Sequence, residues 1–218
     1  MNPQESYFKE CCAVSSMMTR LYNTRLTTTS GGNISLRIND DLFCISPSGL
    51  DKSCLTPQTI AIVTMDGENL TPHLKLSIES EMHRKLLCSR KDVSAIIHAH
   101  PCWSSFFSAI EDLKINTSFI AESYFLLGQP VMIPYHRMGT DQLADEVASS
   151  LGHSNIGILE NHGVITLGTT LIQAFDFIEV LENSAKMTIA AAILNGNVRL
   201  RPLDEARKRE LDDMKNGK

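Results

Sequence analysis

The chain has 218 residues, 20 basic against 25 acidic side chains and a net charge of −5, a length that sustains one substantial core with no Pro/Gly/Ser linker to divide it. The charges are scattered, so no basic tract serves a nucleic-acid backbone or an anionic membrane, and no segment forms a secretory leader or reaches the roughly 18–20 apolar residues of a membrane span. One cytoplasmic domain over residues 1–218 is expected, with a charged tail from about residue 200. Its six cysteines lack zinc-finger or Cys-x-x-Cys spacing and are expected to be mostly reduced and buried.

Residues 4–22 read as a helix with an apolar face of Phe8, Cys11, Cys12, Val14, Ser15 and Met18. "NTRLTTTSGGN" favours a loop. "ISLRI" (34–38) and "DLFCIS" (41–46) alternate with period two about an Asn-Asp pair and read as a hairpin, followed by a strand at 59–65. The period then changes. Residues 77–89 place Ile78, Met82, Leu86 and Leu87 on one helical face, with Ser77 able to cap and Glu79 and Glu81 in the first turn.

"VSAIIHAH" reads as a buried strand, and "PCWSSFFSAI" as a helix with proline near its first position. "VMIP" and "NIGILENHGVITLG" supply further strands, "TDQLADEVASSLG" a short helix, and residues 169–196 a long one of about 26 residues. The tail from Pro202 is a charged, solvated helix. Together these define an α/β protein with a mixed or antiparallel central sheet covered by helices. The Gly31-Gly32 pair is no dinucleotide fingerprint, because a third glycine is missing and a strand follows.

A strand ending in His98-Ala99-His100 projects both imidazoles to one side, which suits two ligands on one ion. A catalytic zinc takes three protein ligands and keeps a position open. His162, beside a glycine between two strand-like runs, is the best third candidate; His73, His83, His136 and His153 compete with it. Glu79 and Glu122 are candidate acid–base groups, each with a bland alternative as a partner of a helix dipole.

Six segments taken together, "TTTSGGNISLRI", "CISPSGLD", "LSIESEMHRKLL", "VSAIIHAHPCWS", "VMIPYHRMGT" and "ILENHGVITLGTTLIQAFDFIEVLE", resemble the successive motifs of the class II aldolase/adducin N-terminal-like family, above all its L-fuculose-1-phosphate aldolase branch. The resemblance implies a single domain with a central, mainly antiparallel sheet flanked by helices in three layers, assembled as a homotetramer with active sites between subunits. It implies Zn2+ on His98, His100 and His162, and Glu79 as the catalytic glutamate. Ser30, Gly32, Asn33, Ser48, Gly49 and Ser77 would hold the phosphate of a ketose 1-phosphate, which is cleaved to dihydroxyacetone phosphate and a short aldehyde.

The same scaffold also resembles methylthioribulose-1-phosphate dehydratases, sugar-phosphate 4-epimerases, 3-oxo-tetronate 4-phosphate decarboxylases and non-catalytic adducin modules. Glu122 favours the dehydratase. Three departures stand out: Ser77-Ile78 replaces the two serines of the fuculose branch, Phe119 lies nearest the position of its tyrosine, and no tyrosine follows Tyr135.

Overall fold

The computed structural model describes residues 3–194 and 196–217. Residues 1, 2, 195 and 218 of the expected domain, including Asn195 near the end of the expected long helix, lie outside them. The order is α1 (Pro3–Ser6), α2 (Phe8–Asn23), β1 (Asn33–Arg37), β2 (Leu42–Ile45), β3 (Ala61–Thr64), α3 (Ser80–Ser89), β4 (Ala95–Ala99) and α4 (Cys102–Phe106). Then follow α5 (Ala121–Leu127), β5 (Val131–Ile133), α6 (Asp141–Ser150), β6 (Ile156–Leu159), β7 (Gly163–Gly168), α7 (Leu171–Leu194) and α8 (Glu205–Lys215). No helix among the described residues is long and apolar enough to cross a membrane.

The strands form one seven-stranded sheet in the order β3-β2-β1-β4-β7-β6-β5. Every pairing is antiparallel except β5 with β6, which puts the parallel strand at an edge. Period-two alternation divides the side chains between two apolar layers. Ile34, Ile97, Ala99 and Val164 pack with α2 and α7, while Phe43, Ile45, Ile96 and Ile165 pack with α3 and α6. The fold is thus a three-layer single domain whose centre is the run β1-β4-β7.

Several expected details change. The first helix buries Cys11, Val14, Ser15, Met17, Met18 and Leu21, whereas Phe8 and Cys12 point outward. All six cysteines are free, but only Cys11 and Cys44 are buried. The helix expected from Ser77 begins at Ser80, with Glu79 as its N-cap, so Ile78 leaves the apolar face and is 51% exposed. The segment 101–110 is a short helix followed by a 3-10 turn. Helix α5 had no sequence signal that the pattern detected, and α8 folds back onto it, with the Tyr124 hydroxyl donating to Asp212.

Candidate metal centre and catalytic site

The pairing of β1 with β4 sets Asn33 opposite His98, and that of β4 with β7 sets His98 opposite Ile165. His98 is fully buried, and its Nδ1–H donates to Val164 O at 2.9 Å. A carbonyl only accepts, so Nδ1 carries the proton and Nε2 presents a lone pair when the ring is neutral. His100 stands one residue beyond β4. The helix that follows it is anchored by the buried Glu182 carboxylate of α7, which accepts from the amides of Trp103 and Ser104 and from the Ser104 hydroxyl.

His162 occupies the turn between β6 and β7, next to Asn161 in the left-handed region at φ 51°. Gly163 permits the close approach of this turn, since a Cβ there would lie 2.5 Å from His100 Cδ2 and 2.6 Å from Ala99 O. His98, His100 and His162 therefore converge, each offering a ligand nitrogen within 4.8 Å of the others. His98 and His100 Nε2 are 3.0 Å apart. Glu79 joins them, with Oε2 at 3.3 Å from His98 Nε2 and Oε1 at 3.0 Å from His162 Nε2.

Burial pushes His98 below its ordinary pKa and His100 down to about 4, so both rings are neutral near pH 7. Burial opposes ionisation of Glu79; positive charge at His98 and His162, together with the Asn33 amide, is what holds the carboxyl below the usual range, and neutral rings gain that charge only from a bound cation. A bare imidazole nitrogen facing an ionised carboxylate oxygen across 3.3 Å is repulsive without a cation between them. The donor set, neutral imidazoles with an anionic oxygen, fits a divalent metal such as zinc.

Three further segments meet beside this cluster. Asn33 Nδ2 donates to Ser77 Oγ at 3.0 Å and to Glu79 Oε2 at 2.8 Å. Ser48 N donates to Lys75 O, and Lys52 N to Thr29 O, each at 2.9 Å. Loops 27–33, 46–52 and 75–79 are thereby pinned together. They carry the expected Ser30, Gly32, Asn33, Ser48, Gly49 and Ser77. Gly32 is required where it stands: its φ is +69°, and a Cβ would lie 2.7 Å from His98 O.

Two groups near the site escaped the sequence reading as supports. His83, weighed as a rival ligand, is fully buried with both ring nitrogens engaged, by Ser35 and by Asn33. Lys52 is only 2% exposed, and its ammonium donates to Pro47 O; no carboxylate among the described residues pairs with it. Sequence signals existed for both: His83 falls four residues after Glu79, and Lys52 lies in the "PSGLDK" loop.

Other expectations do not join the cluster. Glu122 is exposed in the first turn of α5 and makes no hydrogen bond or ion pair to Glu79 or to the three histidines. Glu160, two residues before His162, accepts from Tyr135 N. Ser46, at the start of the 46–52 loop, is buried and accepts from Ile34 N. His73 and His153 are exposed, and His136 sits 3.7 Å from Glu146. A cavity of about 570 Å³, lined by residues including Phe107, Met132, Glu160 and Asn161, opens beside the His162 turn but includes none of the expected site residues.

Lys52 gives a pH-dependent prediction. Burial lowers it from 10.5 to about 8, so between those values the unfolded chain binds more protons than the folded one. Native stability is then expected to rise with pH from about 8 to 10.5, by up to about 3 kcal/mol. Denaturant titrations across this range should show the rise in the wild type and lose it in K52M, which is also the more stable at pH 7; parallel curves would contradict it.

A central antiparallel sheet gathers three imidazoles that could hold a divalent cation, beside a buried carboxylate. Residues 12–189 match the class II aldolase and adducin N-terminal domain. An L-fuculose phosphate aldolase of Methanocaldococcus jannaschii is 33% identical over 171 residues, which cover 78% of this chain and 90% of that relative. A 3-oxo-tetronate 4-phosphate decarboxylase of Escherichia coli O6:H1 is 32% identical over 163 residues, 73% of this chain and 76% of that one.

Among solved structures, YgbL of Escherichia coli, described as an aldolase/epimerase/decarboxylase, matches with a TM-score of 0.82 at 27% identity, covering 95% of this chain and 98% of its own. An L-fuculose 1-phosphate aldolase matches in fold with a TM-score of 0.84 at 23% identity, covering 95% and 96%. The chain belongs to the class II aldolase and adducin N-terminal family, and it is a lyase of that family.

Proposed function

We propose that the chain is a zinc-dependent carbon–carbon lyase that forms dihydroxyacetone phosphate, cleaving L-fuculose 1-phosphate or a related ketose 1-phosphate to that product and a short aldehyde. The carrying observation is the convergence of His98, His100 and His162 with the Glu79 carboxylate 3.0 and 3.3 Å from two of them. His98, His100 and His162 would hold the zinc, which would supply Lewis acidity at the substrate carbonyl. Glu79 moves the proton at the carbon released when that bond breaks, and the hydroxyl proton of the departing carbon leaves to solvent or a second group. Ser30, Gly32, Asn33, Ser48, Gly49 and Ser77 hold the phosphate through hydroxyls, an amide and loop N–H groups.

A second reading has its own support. Decarboxylation of a 3-oxo-tetronate 4-phosphate breaks the bond to the carboxylate, releases CO2, and returns a proton to the same kind of carbon, again giving dihydroxyacetone phosphate. It needs no proton-transfer group at an aldehyde oxygen. This chain has no tyrosine after Tyr135, and the Tyr124 hydroxyl is engaged by Asp212. Incubation of the zinc-loaded protein with L-fuculose 1-phosphate and with 3-oxo-tetronate 4-phosphate separates the readings by aldehyde or CO2. Methylthioribulose 1-phosphate and ribulose 5-phosphate serve as dehydratase and epimerase arms, and no turnover in any arm with zinc bound would overturn the proposal.

The reading includes a homotetramer with sites at subunit contacts, for which the exposed Trp103, Phe106 and Ile120 offer apolar surface; light scattering measures this directly. It also makes a prediction at Ile78. Because that side chain is half exposed, I78S is expected to change stability by no more than about 0.5 kcal/mol. A new hydroxyl beside Ser77 is expected to lower KM for the phosphorylated ketose by about ten-fold or more, a hydrogen bond to a charged group contributing about 1.5–3 kcal/mol when well placed. An unchanged KM would show that the phosphate lies away from this position.

A further inference from the structure

The hydrogen bonds behind Glu79 have a direction that acceptor chemistry dictates. Ionised Glu79 Oε2 can only accept, so the Asn33 atom 2.8 Å from it is the amide nitrogen. The other Asn33 atom is then the carbonyl oxygen. It lies 2.5 Å from His83 Nε2, which must carry the proton that joins them. In a neutral ring Nδ1 is left as a lone pair, and the Ser35 hydroxyl, 2.7 Å away, donates to it.

The whole chain of donors, Ser35 to His83 to Asn33 to Glu79, is removed from solvent: Ser35 and His83 are 0% exposed, Asn33 3% and Glu79 5%. Burial drives the His83 pKa down to about 3, so the ring keeps one proton and one lone pair. β1 supplies Ser35 and Asn33, two residues apart and hence on one face of the sheet. Helix α3 and its N-cap supply His83 and Glu79, four residues apart and hence on one face of the helix. The facing periods of strand and helix bring the four groups into a line.

We propose that His83 is a positioning residue that locks the Asn33 amide with its nitrogen toward Glu79 and Ser77, thereby orienting the catalytic carboxylate and a phosphate-binding hydroxyl through a single side chain. His83 touches neither the three histidines nor Glu79 by a side-chain hydrogen bond among the described residues, so it acts through Asn33. Without a donor at Oδ1, rotation of the amide by half a turn would set a carbonyl against the Glu79 carboxylate, acceptor against acceptor. The inference rests on the reading of Glu79 as the proton-transfer group.

The test compares H83L, which fills similar space and removes the donor, with H83Q, whose amide nitrogen restores one. Zinc-loaded H83L is expected to keep its metal content and lose about ten- to a hundred-fold in kcat for solvent deuterium exchange into dihydroxyacetone phosphate, the loss typical of groups that orient a site residue. H83Q is expected to recover most of that loss. Equal losses in both variants would reduce His83 to packing and overturn the proposal.

Because H83L also leaves Ser35 and Asn33 without a buried partner and can fail to fold, the wild-type imidazole nitrogen shifts, assigned by comparison with H83Q, provide a second measurement. A protonated Nε2 with bare Nδ1 is expected; a protonated Nδ1 breaks the donor chain and overturns the proposal. Absence of exchange in the wild type would refute the Glu79 reading instead, and the tautomer would still decide the orientation of Asn33.

Discussion

Replacement of Glu79 by glutamine is expected to slow deuterium exchange between solvent and dihydroxyacetone phosphate by about 10² to 10⁴, the usual contribution of a positioned acid–base group. The variant should fold. A glutamine carbonyl can still accept from Asn33 Nδ2, which now binds Glu79 Oε2 at 2.8 Å, and the side chain keeps its shape at the N-cap of α3. What it loses is the ability to carry a proton to and from carbon. Exchange kinetics with zinc content measured on the same sample give the answer. Wild-type exchange by E79Q would remove Glu79 from the chemistry and return attention to Glu122.

Removal of one imidazole should act on metal and activity together. In the wild type, saturating zinc at about 100 times its dissociation constant is expected to stabilise the fold by about 2.7 kcal/mol, a shift of roughly 5–10 °C for a chain of this length. H98A and H162A should lose most of that shift and lose activity by more than the hundredfold typical of an outer-sphere change. The metal-free variants need not be less stable than the metal-free wild type, because H98A also removes a lone pair that faces the Glu79 carboxylate at 3.3 Å. Thermal melts with and without zinc, beside metal analysis of the dialysed proteins, test this. A full zinc shift in either variant would show that the ligand set is wrong.

Much of this architecture was legible from local period. Alternation marked β1 and β2, a continuous apolar run marked β4, and the i, i+2 spacing of His98 and His100 placed both rings on one side of the sheet before any neighbour was known. The start of α3 was misread by three residues. Apolar periodicity counted Ile78 with Met82 and Leu86, but the chain turns through residues 77–79, where Ser77 Oγ accepts from Glu79 N, and only then becomes helical. The turn exposes Ile78 and drives Glu79 inward. Helix α5 was missed because its seven residues contain too few turns for a period to emerge.

Among the histidines, spacing could not choose between His83 and His162 as the third member of the cluster. Sequence alone determined that the chain forms an α/β domain, that two imidazoles share a strand face, and that Glu79 and His83 share a helix face, because each follows from distances of two to four residues along a regular backbone. Tertiary structure decided that His162 joins the cluster and His83 stands behind it. The hairpin of β6 and β7 brings residue 162 beside residue 98 through antiparallel register, and the β1–β4 register sets Asn33, the partner of His83, opposite His98. Register across more than sixty residues is set by which apolar faces pack together, and no local pattern encodes it.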